Sequence, residues 1–549
     1  MSAAWSVASS IALILALLAL ICYPLGGWLA RCYTSPTHWR IERLLYRMVG
    51  VDPDSEQHWK RYLSAVMGFS VAGIVALWVL IMVQRWLPLD AGRTGMHWDT
   101  ALNTAVSFVT NTNWQSYSGE TGTGYLVNML GLTVQNFVSA ATGLAVAVAV
   151  IRGLTRTQTD RLGNFWVDLV RSCVRILLPL SVVGALALIA GGVIQNLANP
   201  VQIGTLAGGA QVLQGGPVAS QEAIKLIGTN GGGIFNANSA HPFENPNPFT
   251  NLVEILLLLC IPFSLPRTYG LMVGDRRQAR PFVGLMGVLW TMFAVLASWA
   301  ELASRSLPGG AMEGKEQRFG IVWSMLFGNA TTGTSTGAVN AMHDSMSALG
   351  GGALMFNMQL GEISPGGVGS GLYSVIVLAV ISVFIAGLMV GRTPEFLGKS
   401  VGRREITYAT AFILVMPAVV LVLTGVGLLL PTSRDALLAS GPHGLSEMLY
   451  AYTSGGNNNG SAFAGLSADQ PYLNLTLALA MFVGRFAPIA LVLALAGSLA
   501  GQRSRPVTAG TMPTHTVVFT VMLLGVAVIV AGLTFFPAQA LGPLAEALR

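Results

Sequence analysis

The stretch "GTNGGGIFNANS", residues 228–239, decides the fold of this chain, because it interrupts a sequence that is otherwise dominated by long apolar runs. Three consecutive glycines stand between asparagines in it. Glycine adopts backbone conformations that other residues avoid, and asparagine is one of the few others that tolerate the left-handed region. The stretch is therefore a flexible polar connection, and its surroundings indicate its role.

The surroundings are membrane-like in composition. Of the 549 residues, 53% are hydrophobic and 10% are charged. A helix that crosses a bilayer needs about 20 mostly apolar residues. Ten segments meet this requirement: 8–30, 63–86, 122–150, 170–196, 249–275, 281–304, 367–391, 404–430, 471–500 and 515–537. The sequence thus predicts an all-α polytopic membrane protein with about ten transmembrane helices.

The basic residues indicate the orientation of these helices. Lys and Arg cluster in every second connection, in 31–61, 152–175, 267–280, 392–404 and 503–505. By the positive-inside rule these connections are cytoplasmic, so the amino terminus is expected outside. This placement explains the net charge of +6 without nucleic acid as a partner. The first apolar run has no basic residue before it and no convincing cleavage site, so we interpret it as a retained helix.

The four cysteines show no spacing typical of a disulfide framework or a zinc site.

The outer connections contain four imperfect repeats of one pattern. Their polar segments read "VTNTNWQ" (109–115), "GTNGGG" (228–233), "TSTGA" (334–338) and "NNNGS" (457–461). Alignment places Asn113, Gly231, Gly337 and Gly460 at one equivalent position. The expected organisation is a leading helix (1–30), a cytoplasmic loop (31–62), four repeats (63–150, 170–275, 281–391 and 404–500) and a final helix (515–537).

A short helical stretch precedes each polar segment, with Asp99, Ser220 and Ser446 as expected N-caps in three repeats. About ten helical residues span about 15 Å, roughly half the hydrocarbon thickness, which predicts re-entrant half-helices. Irregular backbone at that depth must be buried in protein or line a watery cavity. We expect four such loops around a pseudo-fourfold pore, with helix carboxyl ends that favour a cation.

The composition of the loops indicates which cation they bind. The neighbours of the aligned residues, Thr112, Asn230, Thr336 and Asn459, offer carbonyl oxygens, and no carboxylate falls within the aligned segments. Calcium and magnesium sites generally use carboxylates, so a monovalent ion is expected, with potassium as first choice and sodium as second. Ordinary Gly/Asn-rich outer loops are the alternative interpretation. A phosphate-binding loop is excluded, because the required lysine and preceding strand are missing.

The sequence also resembles a known family. The motifs "SFVTNTNWQ", "GTNGGGIFNANSAHPFENPNP", "AMHDSMSALGG", "GGVGSGLY", "AGLMVGRTPEFLGK" and "NNNGSAFAGL" are similar to those of the A-subunit family of the bacterial Kdp potassium-transporting ATPases. The resemblance implies the fold of the potassium channel-like transporter superfamily, with four span-pore loop-span repeats and an extra helix at each end. It also implies residence in the bacterial inner membrane, in contact with lipid.

The resemblance further implies that separate subunits of one complex bind potassium and hydrolyse ATP. In that family the P-type ATPase partner, known as the B subunit, hydrolyses ATP, and the C subunit and the small F subunit complete the Kdp complex. This chain would have no cofactor and no catalytic residue of its own: potassium is its substrate, and ATP and Mg²⁺ are expected on the partner. The chain agrees with this by lacking a D-K-T-G phosphorylation motif.

The resemblance assigns roles to individual residues. The selectivity filter would comprise Asn111, Thr112, Asn113, Thr229, Asn230, Gly231, Thr336, Gly337, Asn458, Asn459 and Gly460. Gln115 matches a position that influences potassium affinity. Gly366, Gly367, Gly369 and Gly371 would form an obstruction beneath the filter, or simply a loop that enters a helix.

Three charged residues in or near the spans are also candidates. Arg392 is either a positive-inside anchor or a charge at the inner end of the pore. Arg485 lies mid-span, where a charge costs about 2.5 to 3.5 kcal/mol, so it should face protein or water, with a partner interface as one option. Glu254 is expected at the membrane interface, near the start of its span.

Two functions are therefore weighed. The first is the potassium-binding and translocating subunit of an ATP-driven high-affinity potassium importer. The alternative is a stand-alone potassium channel or ion-coupled potassium transporter of the same fold. A membrane-embedded enzyme is disfavoured, because the sequence offers no nucleophile and base constellation and its seven histidines are scattered.

Overall fold

A computed structural model describes residues 3–304, 311–389, 391, 393–506 and 511–548. Helices dominate the described residues. In chain order they are α1 (Ala3–Thr34), α2 (Arg40–Met48), α3 (Trp59–Met82), α4 (Trp98–Val109), α5 (Gly119–Gly122), α6 (Val134–Thr155), α7 (Phe165–Arg171), α8 (Leu178–Ala190), α9 (Val218–Ile227), α10 (Pro248–Met272), α11 (Ala279–Ala303), α12 (Gly320–Gly333), α13 (Ala348–Gln359), α14 (Ser370–Met389), α15 (Arg403–Leu429), α16 (Pro431–Arg434), α17 (Gly441–Asn457), α18 (Pro471–Ala500), α19 (Val517–Leu541) and α20 (Pro543–Ala547).

Three antiparallel strand pairs lie in the connections. They join β1 (Gln57–His58) with β2 (Arg161–Gly163), β3 (Val201–Gly204) with β4 (Ala210–Leu213), and β5 (Glu395–Phe396) with β6 (Lys399–Ser400). In the longest pair, Val201 lies opposite Leu213 and Gly204 opposite Ala210. These pairs are short, so the fold is essentially all-α, as the sequence predicts.

The ten predicted transmembrane helices are confirmed by ten apolar helices of membrane-spanning length among the described residues. They are α1, α3, α10, α14, α15, α18 and α19, together with Val127–Thr155, Phe165–Ala190 and Arg276–Ala303, three spans in which π- or 3-10-helical turns join an α-helix. Long apolar windows specify these helices because every backbone polar group must be satisfied within the segment in lipid.

The spans form an inner and an outer ring. The second spans of the four repeats are α6, α10, α14 and α18. In that order, 83%, 61%, 72% and 61% of the most apolar window of the span is buried within the protein. The first spans, α3, α8, α11 and α15, have 22%, 33%, 50% and 17% of theirs buried, and α1 and α19 have 22% each. The four second spans therefore surround the centre, and the other six face lipid.

The four half-helices are α4, α9, α12 and α17, and each ends where a polar segment begins. The N-cap assignments, however, were wrong. The N-cap residues are His97, Pro217 and Ser440, so Asp99, Ser220 and Ser446 lie inside their helices. Two of these side chains form other hydrogen bonds. Asp99 Oδ2 accepts a hydrogen bond from Asn474 Nδ2 at 3.0 Å. Ser446 Oγ donates to the Pro442 carbonyl at 3.0 Å.

Glu254 also differs from the expectation. It is completely buried instead of lying at the membrane interface. It belongs to α10, an inner-ring helix that packs against α9, α1 and α11. The reason is tertiary: position within a span fixes the depth of a residue, but the packing of the span decides whether that residue meets lipid or protein.

Candidate ion-binding site

The four polar segments have the same backbone course. Two residues before each aligned position, the chain is left-handed, with φ between 48° and 69° at Asn111, Thr229, Ser335 and Asn458. One residue later, the amide N–H bonds to the carbonyl five residues back, in all four repeats: Thr112 to Ser107, Asn230 to Lys225, Thr336 to Thr331 and Asn459 to Ser454. The four repeats inferred from a few residues are thus equivalent in backbone conformation. Ser335 was missed in the third repeat, although its place two residues before Gly337 identifies it.

Hydrogen bonds in the polar segments join each repeat to the next around a closed ring. Asn111 Nδ2 donates to the Thr229 carbonyl at 2.8 Å, which joins the first repeat to the second. Gly337 N donates to the Asn230 carbonyl at 2.9 Å, which joins the second to the third.

The ring closes through the fourth repeat. Asn459 Nδ2 donates to the Thr331 carbonyl at 3.1 Å, which joins the third repeat to the fourth. Asn458 Nδ2 donates to Thr112 Oγ1 at 3.0 Å, which joins the fourth to the first. Segments more than 100 residues apart in the chain therefore hold one another in place.

The three aligned glycines lie too close to neighbouring backbones for side chains. A Cβ on Gly231 would overlap the backbone of Gly337, and a Cβ on Gly460 would overlap the Thr112 carbonyl. A Cβ on Gly337 would lie 2.8 Å from the Gly460 carbonyl carbon. Glycine is required here by contact between backbones as well as by the positive φ of Gly231 and Gly460.

Several of the expected carbonyl ligands already accept a hydrogen bond. Those of Thr229 and Asn230 accept the bonds described above, and the Thr336 carbonyl accepts from Thr331 Oγ1 at 2.6 Å. A carbonyl oxygen has two lone pairs, so each retains one that could face a cation. The donor set fits a dehydrated monovalent ion, because it consists of neutral oxygens.

An outer cavity of about 560 Å³ leads to the ring. Asn113, Gly231, Gly337 and Gly460 all line it, and so does Gln115. Gln115 joins two repeats, because its Oε1 accepts from Gly233 N at 3.0 Å and its Nε2 donates to Tyr117 Oη at 3.1 Å. The structure therefore places the aligned residue of each repeat, together with Gln115, in the lining of one polar cavity.

The glycine-rich segment before α14 lies directly beneath the ring. Val368 N donates to Thr229 Oγ1 at 3.0 Å, and Gly366 N donates to the Gly333 carbonyl at 2.6 Å. Gly369 abuts the backbone of Gly143 in α6. Gly367 is buried in the same segment, and Gly371 is buried in the first turn of α14. This irregular backbone is thus packed against three inner elements rather than forming a loose entry to a helix.

A second, smaller cavity of about 110 Å³ lies to one side of that segment. It extends between α14, α15, α18 and α19, and Glu362 and Arg485 line it. Arg485 is buried and its Nη2 donates to the Ser139 carbonyl at 3.3 Å, so it faces protein and not lipid. Glu362 accepts from Asn459 Nδ2 at 2.8 Å and was not identified from the sequence. Arg392 lies outside the described residues.

The chain was compared with known proteins by sequence and by structure. The family described as "KdpA: Potassium-transporting ATPase A subunit" matches residues 12–548. A Streptomyces coelicolor protein named potassium-transporting ATPase potassium-binding subunit is 57% identical over 537 residues, which cover 97% of each chain. A Kineococcus radiotolerans protein of the same name is 57% identical over 540 residues, or 98% of this chain and 97% of that protein.

The second comparison concerns solved structures. The crystal structure of the potassium transporter TrkH from Vibrio parahaemolyticus is similar, with a TM-score of 0.56 at 13% sequence identity. The match covers 88% of this chain and 97% of that one. At this level of identity the similarity concerns the fold alone. It confirms the fold class predicted from the four polar segments.

Proposed function

Because the chain belongs to the potassium-transporting ATPase A-subunit family, we propose that it binds potassium and translocates it within an ATP-driven importer. The closed ring of four polar segments is the observation that carries this proposal. It brings the four repeats into contact, and the aligned residue of each repeat lines one polar cavity. Such a ring replaces the weakly held hydration shell of potassium more readily than the shell of a divalent ion.

The proposed partner is a P-type ATPase. The names of the relatives indicate that those proteins work in a potassium-transporting ATPase complex. We assign ATP and Mg²⁺ to this partner, the B subunit, with the C subunit and the small F subunit completing the assembly. This chain is then the non-catalytic transport subunit, with potassium as its substrate. The bacterial inner membrane is the proposed location, with the amino terminus outside.

The segment beneath the ring favours a pump component over a stand-alone channel. Val368 and Gly366 of this segment bond to Thr229 and Gly333, and we propose that the segment obstructs the straight path from the ring to the cytoplasm. An open path would dissipate the gradient that ATP hydrolysis creates. We propose that the side cavity, which Glu362 and Arg485 line, gives the ion a lateral route toward a neighbouring protein of the complex. A positive Arg485 at this exit would keep cations from lingering there.

The test is the ATPase activity of the complex that co-purifies with this chain. The activity should rise with added potassium and much less with added sodium. Replacing Gly231 with Asp should weaken this preference and raise the half-maximal potassium concentration by about tenfold or more, because the change adds a side chain and a charge to the ring. The matched control is Gly287→Ala in α11, where a Cβ meets no atom within 4 Å.

Two outcomes would contradict the proposal. Unchanged potassium activation in the Gly231→Asp complex would refute the placement of the ion at the ring. Robust potassium flux through the isolated chain in liposomes, without its partner proteins, would favour the channel.

A further inference from the structure

A fully buried lysine lies behind the second polar segment. Lys225 belongs to α9, and its side chain has no exposed surface. Its Nζ lies 2.6 Å from Glu222 Oε2 and donates to Glu244 Oε2 at 2.6 Å. A third bond runs to Asn238 Oδ1 at 3.0 Å. Burying an ammonium group costs several kcal/mol unless partners of this quality are present, so the arrangement is specific.

Asn238 connects this lysine to the ring. Asn238 Oδ1 accepts from Lys225 Nζ, from Ser239 N at 3.0 Å and from Val339 N at 3.3 Å. Three donors on one side fix the orientation of the amide, because only its oxygen can accept them. The Nδ2 group therefore faces the other way and donates to the Gly231 carbonyl at 2.8 Å. Two hydrogen bonds thus separate the ammonium group from the aligned glycine of the second repeat.

The same bonds tie several segments together. Val339 belongs to the third repeat, so Asn238 links the second polar segment with the third. Glu244 Oε1 accepts from Phe235 N at 3.0 Å, and Glu222 Oε1 accepts from Ser239 Oγ at 2.9 Å. The two carboxylates that hold Lys225 thereby also hold the chain that returns from the ring.

The surroundings make the lysine the neutralising charge of this region. Glu254 is buried nearby, and neither of its carboxyl oxygens accepts a hydrogen bond within the part of the chain that the structure describes. Glu222, Glu244 and Glu254 thus bring three carboxyl groups close to the second polar segment. Loss of the ammonium group would leave Glu222 and Glu244 buried without their ionic partner.

We propose that Lys225 is a positioning residue for ion selection, which fixes the Asn238 amide and through it the Gly231 carbonyl. The proposal rests on the function proposed above, because it assumes that the ring selects potassium. Lys225 itself touches no ion. It determines the direction in which the Gly231 oxygen is held.

The third repeat supplies a matched control. Lys315 is also buried, and its Nζ donates to Glu301 Oε1 at 2.6 Å. The other oxygen of Glu301 accepts from Ser347 N at 3.0 Å. Among the described residues, none of the side-chain bonds of Lys315 and Glu301 reaches a polar segment of the ring. Loss of Lys315 therefore reproduces the loss of a buried ion pair without the connection to Gly231.

The experiment compares Lys225→Met with Lys315→Met in the complete purified complex. ATPase activity is measured against potassium concentration, and activation by rubidium and sodium is measured alongside. Lys225→Met should raise the half-maximal potassium concentration by about tenfold, equivalent to about 1.4 kcal/mol, and should weaken the preference over sodium. Its maximal rate should stay within about twofold of the parent, and Lys315→Met should shift the half-maximal concentration by less than about twofold.

A Lys225→Met complex with unchanged half-maximal potassium concentration and unchanged preference overturns the proposal, even if its maximal rate falls. Should this variant not assemble, the triple variant Lys225→Met, Glu222→Gln, Glu244→Gln removes the unpaired buried charges and allows the same measurement. It should show the same shift, and parent-like activation would overturn the proposal.

A double-mutant cycle tests the connection through Asn238. Asn238→Ala should raise the half-maximal potassium concentration by itself, and adding Lys225→Met should raise it little further, because both changes release the same carbonyl. Fully additive shifts would contradict the connection. If the parent complex is activated by potassium and the variants behave like it, only this inference fails. If the parent complex shows no activation, the proposed function fails.

Discussion

At the scale of single residues, Gly460 has the least room for a side chain among the aligned glycines, because a Cβ there would overlap the Thr112 carbonyl. The φ of Gly460 is 98°, a conformation that L-residues rarely adopt, and a Cβ would overlap the carbonyl oxygen. The first repeat has an asparagine in place of this glycine. Asn113 is left-handed, with φ of 61°, and keeps its side chain. Its Nδ2 donates to Asn136 Oδ1 at 2.7 Å, so the side chain points away from the aligned backbones.

Replacing Gly460 with Ala should therefore disturb the ring. We expect a higher half-maximal potassium concentration for ATPase activation, by about tenfold or more, because both the backbone conformation and the space oppose the methyl group. Gly425→Ala is the control: Gly425 lies in α15 with no atom within 4 Å of the new Cβ, and alanine favours helices by up to about 1 kcal/mol. Equal potassium activation in the two variants would contradict the expectation.

At the scale of elements, one histidine joins three segments at the end of the bundle that carries the outer connections. His443 lies in the first turn of α17. Its Nε2 lies 3.1 Å from Asp344 Oδ1, before α13, and its Nδ1 lies 2.9 Å from Glu546 Oε1, in α20. Hydrogen bonds to Asp344 and then to Glu546 raise the pKa of His443 from 6.5 to about 10. The charged imidazolium thus holds the last helix against a half-helix.

This raised pKa predicts the sign of a pH dependence. A group whose pKa is higher in the folded state stabilises fully below its unfolded pKa, here 6.5, and the contribution is lost as pH rises through about 10. The parent chain should exceed His443→Asn in melting temperature at pH 6, and the difference should vanish near pH 10. Thermal unfolding of the purified complex, followed by intrinsic fluorescence across this range, measures it. A difference that stays constant with pH would refute the ionic role of His443.

At the scale of the whole molecule, the inner and the outer ring of spans have different roles. The inner spans bring the four half-helices and polar segments together, and the outer spans meet the lipid. Inner spans such as α6 and α14 are built largely of small and branched apolar residues. These residues allow the close packing that positions the ring of polar segments. The ion site is consequently a property of the assembled bundle and not of any one repeat.

The predicted orientation can be measured with two single cysteines. Ala207→Cys, exposed at the tip of the β3–β4 hairpin, should react with a membrane-impermeant maleimide in intact cells. Asp54→Cys, exposed between α2 and α3, should react only after the membrane is opened, because the positive-inside rule predicts that the basic connections are cytoplasmic. The parent chain is the control, since its four cysteines are buried or half-buried. The reverse pattern would contradict an amino terminus on the outside.

The sequence by itself determined the number and order of the spans and the positions of the four polar segments. Both are local properties: a bilayer selects any window of sufficient length and hydrophobicity, and glycine and asparagine are favoured where the chain turns left-handed. For this reason Asn113, Gly231, Gly337 and Gly460 could be aligned across more than 300 residues, and the structure brings them to one cavity.

Only the tertiary structure decided which side chains support that cavity. Asp99 had the features of an N-cap but bonds to Asn474 in a distant span, and Glu254 had those of an interfacial residue but is buried. Lys225 and Asn238 carry no local sign of their connection to Gly231. Hydrophobicity and backbone preference act over neighbouring residues and can be read along the chain. Hydrogen bonds between distant segments form only when packing brings their partners together.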